Sequence, residues 1–376
     1  MKILISGGTR CNITNARDVA GIVEAFGPKG RFLYPALRAL PPEAVVRIFE
    51  DEGVATKVED DPVPGKVFPV SDRAPDVLDA LLRRLARSGA TIRTGAPALV
   101  VRRPAGGDGA PFAVETPDGA VAARSVVIAT GGRSYARCGT SGDGYAFAHA
   151  FGHTIVEPRP ALVPLVVPVA WVRDLRGVTV PDVAVEALAA SARVARRRGS
   201  LLFTHFGLSG PAVLDVSGAL GRASGPAAVR LDLAPGLGAE ALDVSLREAA
   251  ARRGEGARLA RSALAERLPE RLAAALLAVA GVAADRRLSA LAREERERLV
   301  ATVKRLELPV EADRGFAQAE VTSGGVLLDE VDPRTLESRR VPGLYLAGEV
   351  LDLDGPIGGF NFQSAWSTGW LAGERA

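Results

Sequence analysis

Three glycine-rich segments contain the residue types best able to hold an anionic or flat ligand. They are residues 6–15, 129–144 and 348–363, called here the first, second and third glycine segments. Glycine lets backbone N–H groups approach a ligand closely, and anion-binding loops of this kind join a strand to a helix. Each segment alone is equally typical of a tight turn, but the three together predict one shared binding site.

The side chains of these segments indicate how a ligand would be bound. Glu349 is expected just past a buried strand, where a carboxylate accepts hydrogen bonds from ligand hydroxyls. A helix that follows Gly359 would stabilise negative charge at its N-terminus. The candidate cofactor-binding residues are Ser6, Gly7, Gly8, Arg10, Cys11, Asn12, Thr14, Asn15, Ala129, Thr130, Gly131, Gly132, Thr140, Gly142, Asp143, Gly144, Gly348, Glu349, Asp352, Gly358, Gly359, Asn361 and Phe362.

Hydrophobic periodicity indicates the elements that position these segments. The expected helices cover residues 75–88, 142–151 and 361–373, and the expected strands cover 91–93, 98–103, 112–116, 121–124 and 318–322, with turns at 106–109, 117–119 and 323–325. The apolar runs at 125–128 and 343–349 are typical of buried parallel strands whose carboxyl ends face a ligand. The sequence therefore predicts an α/β fold around the glycine segments.

The middle of the chain has a different character. Residues 160–238 contain several strand-like stretches, and residues 239–312 are rich in Ala, Leu, Arg and Glu with the spacing of amphipathic helices. We therefore expect an α/β domain formed by residues 1–159 and 313–376. A β-rich domain and then a helical part would be inserted between its two halves.

Composition narrows the class of protein. The 376 residues are 47% hydrophobic, and 47 basic against 44 acidic residues leave a net charge of +3, too small to imply a nucleic acid partner. Two cysteines are too few for a disulfide scaffold or a four-cysteine zinc site. No apolar run approaches the roughly 20 residues of a membrane span. We expect a cytoplasmic protein with no metal and no membrane partner.

Three motifs resemble one family of flavoproteins. They are Ser-Gly-Gly-Thr-Arg-Cys-Asn-Ile-Thr-Asn at residues 6–15, Leu-Phe-Thr-His-Phe-Gly-Leu-Ser-Gly-Pro at 202–211, and the stretch from Gly348 to Asn361. In this order they resemble the YhiN/BaiN-like, or aminoacetone oxidase-like, family of NAD(P)/FAD-dependent oxidoreductases. The resemblance implies FAD bound to a two-dinucleotide-type α/β domain, a β-barrel-like and helical insert, NAD(P)H as an electron donor, and small carbonyl or enone substrates.

The second glycine segment carries a further, shorter resemblance. Residues 139–144, Gly-Thr-Ser-Gly-Asp-Gly, are similar to the Thr-Gly-Asp-Gly turn of fumarate-reductase-type flavoproteins. That resemblance implies a place beside the isoalloxazine ring of the flavin.

The chain departs from the family pattern at its start. Family members begin with a strand, a G-x-G-x-x-G turn, a helix and an acidic residue that hold the pyrophosphate and ribose of FAD. These features do not precede the first glycine segment, which begins at Ser6. We therefore expect an N-terminally truncated FAD-binding domain, explained by a start codon assigned too late or by a true truncation.

Two side chains are candidates for catalysis. His205 could donate to a substrate carbonyl or transfer a proton, and a turn-capping histidine explains it equally well. Arg10 could bind a cofactor phosphate or an anionic substrate, with a structural ion pair as the alternative. His149 and His153 have no evident third metal ligand, so we expect a structural role. Cys11 has no Cys-x-x-Cys partner and is interpreted as a small buried residue.

Two alternatives accompany the expected FAD-dependent oxidoreductase. Arg193, Arg196, Arg197 and Arg198 could contact phosphates in a flavin-fold RNA-binding or RNA-modifying protein, although such runs are usually solvated surfaces. The other alternative is a truncated remnant of the family without a cofactor. The sequence leaves the substrate and the oligomeric state open.

Overall fold

The computed structural model describes residues 2–60, 64–103, 111–251 and 258–376, and the chain divides into two compact units. Unit 1 comprises Met1–Pro160 and Phe316–Ala376, and unit 2 comprises Ala161–Gly315. The turn predicted at residues 106–109 lies outside the described residues. Among the helices in the described ranges, none combines the length and the apolar character that crossing a membrane requires.

Helices and strands alternate irregularly along the chain. The helices are α1 Lys2–Ile5, α2 Val19–Ala25, α3 Tyr34–Ala39, α4 Pro42–Asp51, α5 Ala74–Ser88, α6 Asp143–Ala150, α7 Ala170–Asp174, α8 Pro211–Arg222, α9 Ala239–Ala251, α10 Ala260–Ala265, α11 Glu270–Val279, α12 Arg293–Lys304 and α13 Phe360–Arg375. The strands are β1 Thr14–Asn15, β2 Thr56–Glu59, β3 Lys66–Pro69, β4 Val100–Arg102, β5 Phe112–Thr116, β6 Gly119–Ala123, β7 Val126–Ile128, β8 Ile155–Ala161, β9 Leu165–Val166, β10 Thr179–Ala189, β11 Ala192–Phe203, β12 Gly207–Ser209, β13 Ala227–Asp232, β14 Leu306–Val310, β15 Ala312–Asp313, β16 Val321–Val326 and β17 Leu344–Leu346. The α/β class predicted from the sequence is confirmed.

Unit 1 contains several small sheets. Strands β1, β3 and β2 form one antiparallel sheet, β4, β5 and β6 form the predicted meander, and β8 pairs with β16. Strands β7 and β17 run parallel, as expected, but Val127 of β7 is 37% exposed. The expectation of a fully buried strand is therefore wrong at that residue.

Local signals explain which of the unit 1 predictions hold. Helix α5 buries Val77 and Ala80 on one face and ends at Gly89, which adopts φ +77 in the left-handed region that glycine favours. The strand predicted at residues 91–93 is absent from the described structure, where Ile92 is 52% exposed. A three-residue stretch with a single apolar side chain and no paired strand in the described structure gains little from burial.

The turn predicted at residues 323–325 is also wrong, because these residues lie inside β16. Gly324 and Gly325 have positive φ, and a Cβ on either would overlap or crowd a backbone carbonyl, that of Glu157 or of Val350. The glycine pair therefore permits close packing of backbone against backbone within a strand.

Unit 2 is built on a seven-stranded antiparallel sheet in the order β14-β13-β10-β11-β12-β9-β15. One face of the sheet is apolar, and Val185, Leu231 and Leu308 are buried there. Buried apolar side chains from each of the helices α8 to α12 belong to the same cluster. Burial of this apolar surface is the main stabilising contribution to unit 2.

His153 holds together two parts of unit 1. Its Nδ1 lies 3.1 Å from Oε2 of Glu330 and its Nε2 lies 2.8 Å from Oγ of Ser338. Glu330 also accepts from Thr154 N at 2.8 Å, and Arg340 Nη2 donates to its Oε1 at 2.5 Å. The structural role predicted for His153 is confirmed.

The His153 contact predicts a pH dependence of stability. Burial lowers the pKa of His153, and the carboxylate of Glu330 opposes that shift only in part. As the pH falls below about 6.5, the unfolded chain binds the proton before the folded chain does, so the free energy of unfolding decreases. Urea unfolding at about pH 7.5 and about pH 5.5 measures this loss, which His153→Gln should abolish.

The exposed His149 of α6 provides the control, since His149→Gln should keep the wild-type difference between the two pH values. Glu330 affects stability in a separate and lower pH range. Its pKa is lowered to about 2, mainly by the hydrogen bond from Arg340, so its contribution is lost only as the pH falls from about 4.5 towards 2. Equal pH dependence in wild type and His153→Gln would contradict the prediction.

Candidate functional site

The second and third glycine segments begin at the ends of two paired parallel strands. Leu346 of β17 lies opposite Ile128 of β7, and Ala347 N donates to Ile128 O at 3.0 Å. Ala129 and Thr130, which follow β7 directly, are exposed. The carboxyl ends of parallel strands are where α/β domains bind their ligands. Both segments therefore leave the same edge of the sheet.

Glu349 and Thr322 join these two segments. Thr322 N donates to Glu349 Oε1 at 2.8 Å, and Thr322 Oγ1 accepts from Arg133 N at 2.8 Å. A Cβ on Gly132 would lie 2.5 Å from Thr322 Oγ1 and 2.8 Å from Glu349 Oε1. Since no side chain fits there, glycine is required at 132 for this close approach.

Glu349 is also bound by a cation. Lys2 Nζ lies 2.9 Å from Glu349 Oε2, and the side chains are 27% and 19% exposed. Both carboxylate oxygens therefore have protein partners. Each oxygen has more than one lone pair, so the carboxylate can still accept a hydrogen bond from a ligand.

The first and third glycine segments are packed against each other. Asn15 Nδ2 donates to Gly358 O at 3.0 Å, and Trp366 Nε1 of α13 donates to Ile13 O at 2.9 Å. The side-chain oxygen of Asn12 accepts from Gly359 N at 2.9 Å in the amide orientation that pairs both of its ends. All three glycine segments therefore converge within unit 1.

Buried polar contacts strengthen this junction. Thr14 Oγ1 contacts Oε1 of Gln363, and both residues are completely buried. Gln363 Nε2 donates to Leu40 O at 3.0 Å. Because buried polar groups are costly without partners, these bonds fix the position of α13 relative to the first segment.

Helix α13 begins without a side-chain cap, because its N-cap residue is a glycine. Its N-cap, Gly359, has φ +93 and offers no side-chain acceptor to the N–H groups of the first turn. Asn361 Nδ2 donates to Gly355 O at 2.9 Å, and the ring of Phe362 stacks on Trp366 with centroids 5.5 Å apart. The first-turn N–H groups carry partial positive charge that can stabilise an anion.

Asp352, another predicted ligand residue, lies near the third segment's start. It is buried, and Lys29 Nζ lies 2.6 Å from its Oδ1. In this position the carboxylate holds residues around 29 against the third segment.

The second segment turns into α6 through glycines. Gly142 is the N-cap of α6 with φ +91, and a Cβ on Gly144 would overlap Oγ1 of Thr130. Thr140 Oγ1 donates to Ser134 O at 3.2 Å, and Ser141 Oγ donates to Asp143 Oδ2 at 2.7 Å. The polar side chains of this turn therefore brace its own backbone.

The first segment is a loop of left-handed residues. Gly7 and Gly8 have φ +55 and +68, and Cys11 has φ +64. Ser6 Oγ donates to Ile3 O at 2.9 Å. Cys11 is completely buried, as predicted, and burial raises the pKa of its thiol to about 11. A thiol that stays protonated is a poor nucleophile.

Arg10 belongs to a network of four charges. Its Nη1 lies 2.9 Å from Glu59 and 3.3 Å from Asp72, and Lys57 Nζ lies 2.7 Å from Asp72. The guanidinium also covers the ring of Phe68 at 4.0 Å from the centroid. The hydrogen bond to Glu59 raises the pKa of Arg10. These contacts hold the first segment on the sheet formed by β1 to β3.

His205 lies in unit 2, at the turn between β11 and β12. Thr204 N donates to Gly207 O at 2.8 Å and closes the turn, while the His205 ring is exposed and meets Phe206 edge to face at 5.0 Å. Thr204, rather than His205, makes the hydrogen bonds of this turn. The imidazole has no hydrogen-bond partner within the described ranges.

The arginine run lies on the exposed first half of β11 in unit 2. Arg198 makes two hydrogen bonds of 2.7 Å with Asp182, and Arg193 Nη1 lies 3.2 Å from Glu186. Arg196 Nε lies 3.9 Å from the same Glu186. Much of the positive charge of the run is therefore compensated locally.

Sequence reasoning missed two residues of the site in unit 1. Thr322 is completely buried and links Glu349 to the second segment. Tyr145, in the first turn of α6, is 7% exposed, and its hydroxyl has no hydrogen-bond partner in the described structure. The tyrosine directly follows the Gly-Asp-Gly turn at residues 142–144, and that position is the sequence signal that could have identified it.

No group of three or more His, Cys, Asp or Glu placed to bind a metal occurs in the part of the chain that the structure describes.

Comparison with known proteins places the chain among Rossmann-type α/β flavoproteins. The sequence model of the family described as "HI0933-like protein Rossmann domain" matches residues 1–375. The chain belongs to this HI0933-like family, so the resemblance inferred from its motifs is confirmed, and the protein is an oxidoreductase. The match extends over the whole α/β unit and over unit 2.

Two curated relatives have assigned activities. The chain is 33% identical over 376 residues to "Ribosomal RNA dihydrouridine synthase" of Escherichia coli K12, covering 99% of this chain and 88% of the relative. It is 32% identical over 380 residues to "3-dehydro-bile acid delta(4,6)-reductase" of Clostridium scindens, covering 100% and 89%. Among solved structures, an open conformation of a flavocytochrome c3 fumarate reductase matches with TM-score 0.47 and 15% identity, covering 100% of this chain and 71% of that one.

Proposed function

We propose that unit 1 binds FAD where the three glycine segments converge, and that the protein reduces a carbon–carbon double bond conjugated with a carbonyl group. The convergence is the observation that carries the proposal. Asn15 ties the first segment to the third, and Thr322 with Glu349 ties the second to the third. NAD(P)H is the proposed electron donor.

The residues present fit a flavin ring on three grounds. Ala129 and Thr130 are exposed at the carboxyl end of β7. Gly359, the N-cap of α13, offers no side-chain acceptor to the N–H groups of the first turn, and such a helix N-terminus favours an anionic ring edge. The buried hydroxyl of Tyr145 lacks a partner in the described residues. These features supply backbone and side-chain donors around one flat acceptor.

The printed activities of the two relatives support the proposed substrate class. A dihydrouridine synthase saturates a ring double bond conjugated with a carbonyl in uracil, and a 3-dehydro delta(4,6)-reductase acts on double bonds conjugated with a 3-oxo group. A bound flavin supplies the hydride equivalent that such a bond needs at its β-carbon. An activated alkene is therefore the shared substrate chemistry.

The side chains of this protein have separate proposed roles. Addition of hydride at the β-carbon must be balanced by delivery of a proton to the α-carbon, which water can supply. The backbone at Gly131, Gly132 and Gly348 lets the ring approach the sheet edge. Arg10 positions the first segment through Glu59 and Asp72.

The proposal predicts flavin uptake and turnover by the purified chain. Reconstitution with FAD should give about one flavin per chain by absorbance, NADH or NADPH should bleach it without oxygen, and an activated alkene should restore its colour. A 3-oxo-Δ4 steroid and a uridine-containing RNA serve as the two test substrates.

The outcomes separate the competing functions. Reoxidation by the steroid alone supports a small-molecule reductase, and reoxidation by RNA with steeply salt-dependent binding supports the RNA-modifying alternative. Failure of both substrates to reoxidise a reduced flavin contradicts the substrate class. A chain that takes up no flavin contradicts the proposed function.

A further inference from the structure

Tyr145 is buried in unit 1 without a hydrogen-bond partner in the described residues. It is 7% exposed, and no described donor or acceptor reaches its hydroxyl. Tyr345, also 7% exposed and in the same apolar cluster, donates to Arg375 O at 2.7 Å. Burying an unpaired hydroxyl destabilises the folded state, so native proteins rarely retain one without a use.

The surroundings of the tyrosine ring belong to the second and third glycine segments. A Cβ on Gly142 would lie 3.2 Å from Cδ2 of the Tyr145 ring and 2.8 Å from Cγ of Arg133. The charged groups that act on the hydroxyl are the carboxylates of Glu349 and Asp352 and the guanidinium of Arg133. Gly144, which precedes Tyr145 in the chain, also packs against the third segment, because a Cβ on it would lie 3.2 Å from Cγ2 of Val350. Tyr145 therefore lies where the two segments converge.

The protonation state of Tyr145 is fixed by this environment. Burial raises the pKa of Tyr145 well above its ordinary value, and the negative charge of Glu349 adds to the effect. The phenol therefore remains neutral at physiological pH and acts as a hydrogen-bond donor rather than as a base.

We propose that the hydroxyl of Tyr145 donates a hydrogen bond to an oxygen or nitrogen acceptor of the bound flavin. The inference rests on the proposed flavin site and adds a residue to it that no motif assigned. A neutral donor held in the core loses no solvent contact when the cofactor binds, because its desolvation has already occurred on folding. The bond strengthens as negative charge increases on the acceptor, so Tyr145 also favours the reduced flavin.

The test compares Tyr145→Phe with the matched control Tyr345→Phe in the full chain. Tyr145→Phe should weaken FAD binding about tenfold, the effect of one lost hydrogen bond, and should shift the visible flavin spectrum and lower its reduction potential. The flavin-free protein should keep or raise its thermal midpoint, because an unpaired buried hydroxyl is removed.

Tyr345→Phe should destabilise the flavin-free protein and leave FAD binding nearly unchanged. Loss of the bond to Arg375 O lowers the thermal midpoint of the flavin-free protein, while FAD affinity stays within about twofold of wild type. Because the two variants delete the same atom from equally buried tyrosines, general effects of the substitution cancel.

Each adverse result identifies what has failed. Wild-type protein without flavin uptake overturns both the proposed function and the role of Tyr145. Wild-type uptake with unchanged affinity, spectrum and potential in Tyr145→Phe overturns the role of Tyr145 alone. A lower thermal midpoint of flavin-free Tyr145→Phe also overturns it, because the hydroxyl then has a partner within the protein.

Discussion

Gly359→Val is expected to abolish flavin uptake and to lower the free energy of unfolding by about 3 kcal/mol or more. Gly359 has φ +93, which L side chains rarely adopt, and a Cβ there would overlap the carbonyl oxygen of Thr14. It would also lie 2.9 Å from the side-chain amide of Asn12. The substitution therefore forces α13 away from the first glycine segment, where both contribute to the proposed site.

A second glycine of the same helix supplies the control. Gly369 has open space around its Cβ position and no positive φ, so Gly369→Val should change the free energy of unfolding by less than about 1 kcal/mol. Urea unfolding followed by tryptophan fluorescence measures stability, and flavin absorbance measures uptake. Equal behaviour of the two variants would show that the contact between Gly359 and Thr14 is unimportant.

Local patterns predicted the elements of unit 1 better than their contacts. The helix predicted at residues 75–88 forms as Ala74–Ser88, because its apolar spacing and the terminal Gly89 act within one segment. Gly324 and Gly325 misled the same reasoning, because a glycine pair that permits close strand packing resembles a turn. The deciding contact, with the carbonyl of Glu157, is distant in sequence.

In the candidate site too, the sequence predicts the segments better than the contacts between them. The motifs indicated which segments converge, but the partners of individual side chains depend on residues far along the chain. Arg10 is bound by Glu59 and Asp72, and Glu349 is bound by Thr322 and Lys2. Such long-range pairing changes what a charged side chain can offer to a ligand, and periodicity carries no information about it.

Glu349→Ala is expected to lower the free energy of unfolding by about 2 kcal/mol and FAD affinity at least tenfold. The change removes the acceptor of Thr322 N and the partner of Lys2. Thr322 is completely buried, so its N–H would be left unpaired. Because Thr322 Oγ1 holds the backbone of the second segment, the disturbance reaches both sides of the proposed flavin site.

Glu349→Gln separates structure from ligand binding at this position. Its amide oxygen can still accept from Thr322 N, so stability should recover most of the loss caused by alanine. If the carboxylate also accepts hydrogen bonds from flavin hydroxyls, affinity should remain reduced, because a charged acceptor binds more strongly than a neutral one. Full recovery of FAD affinity in Glu349→Gln would show that Glu349 acts only by holding Thr322. Lys2→Met completes the comparison, since it removes the cation and leaves the contact between Glu349 and Thr322 intact.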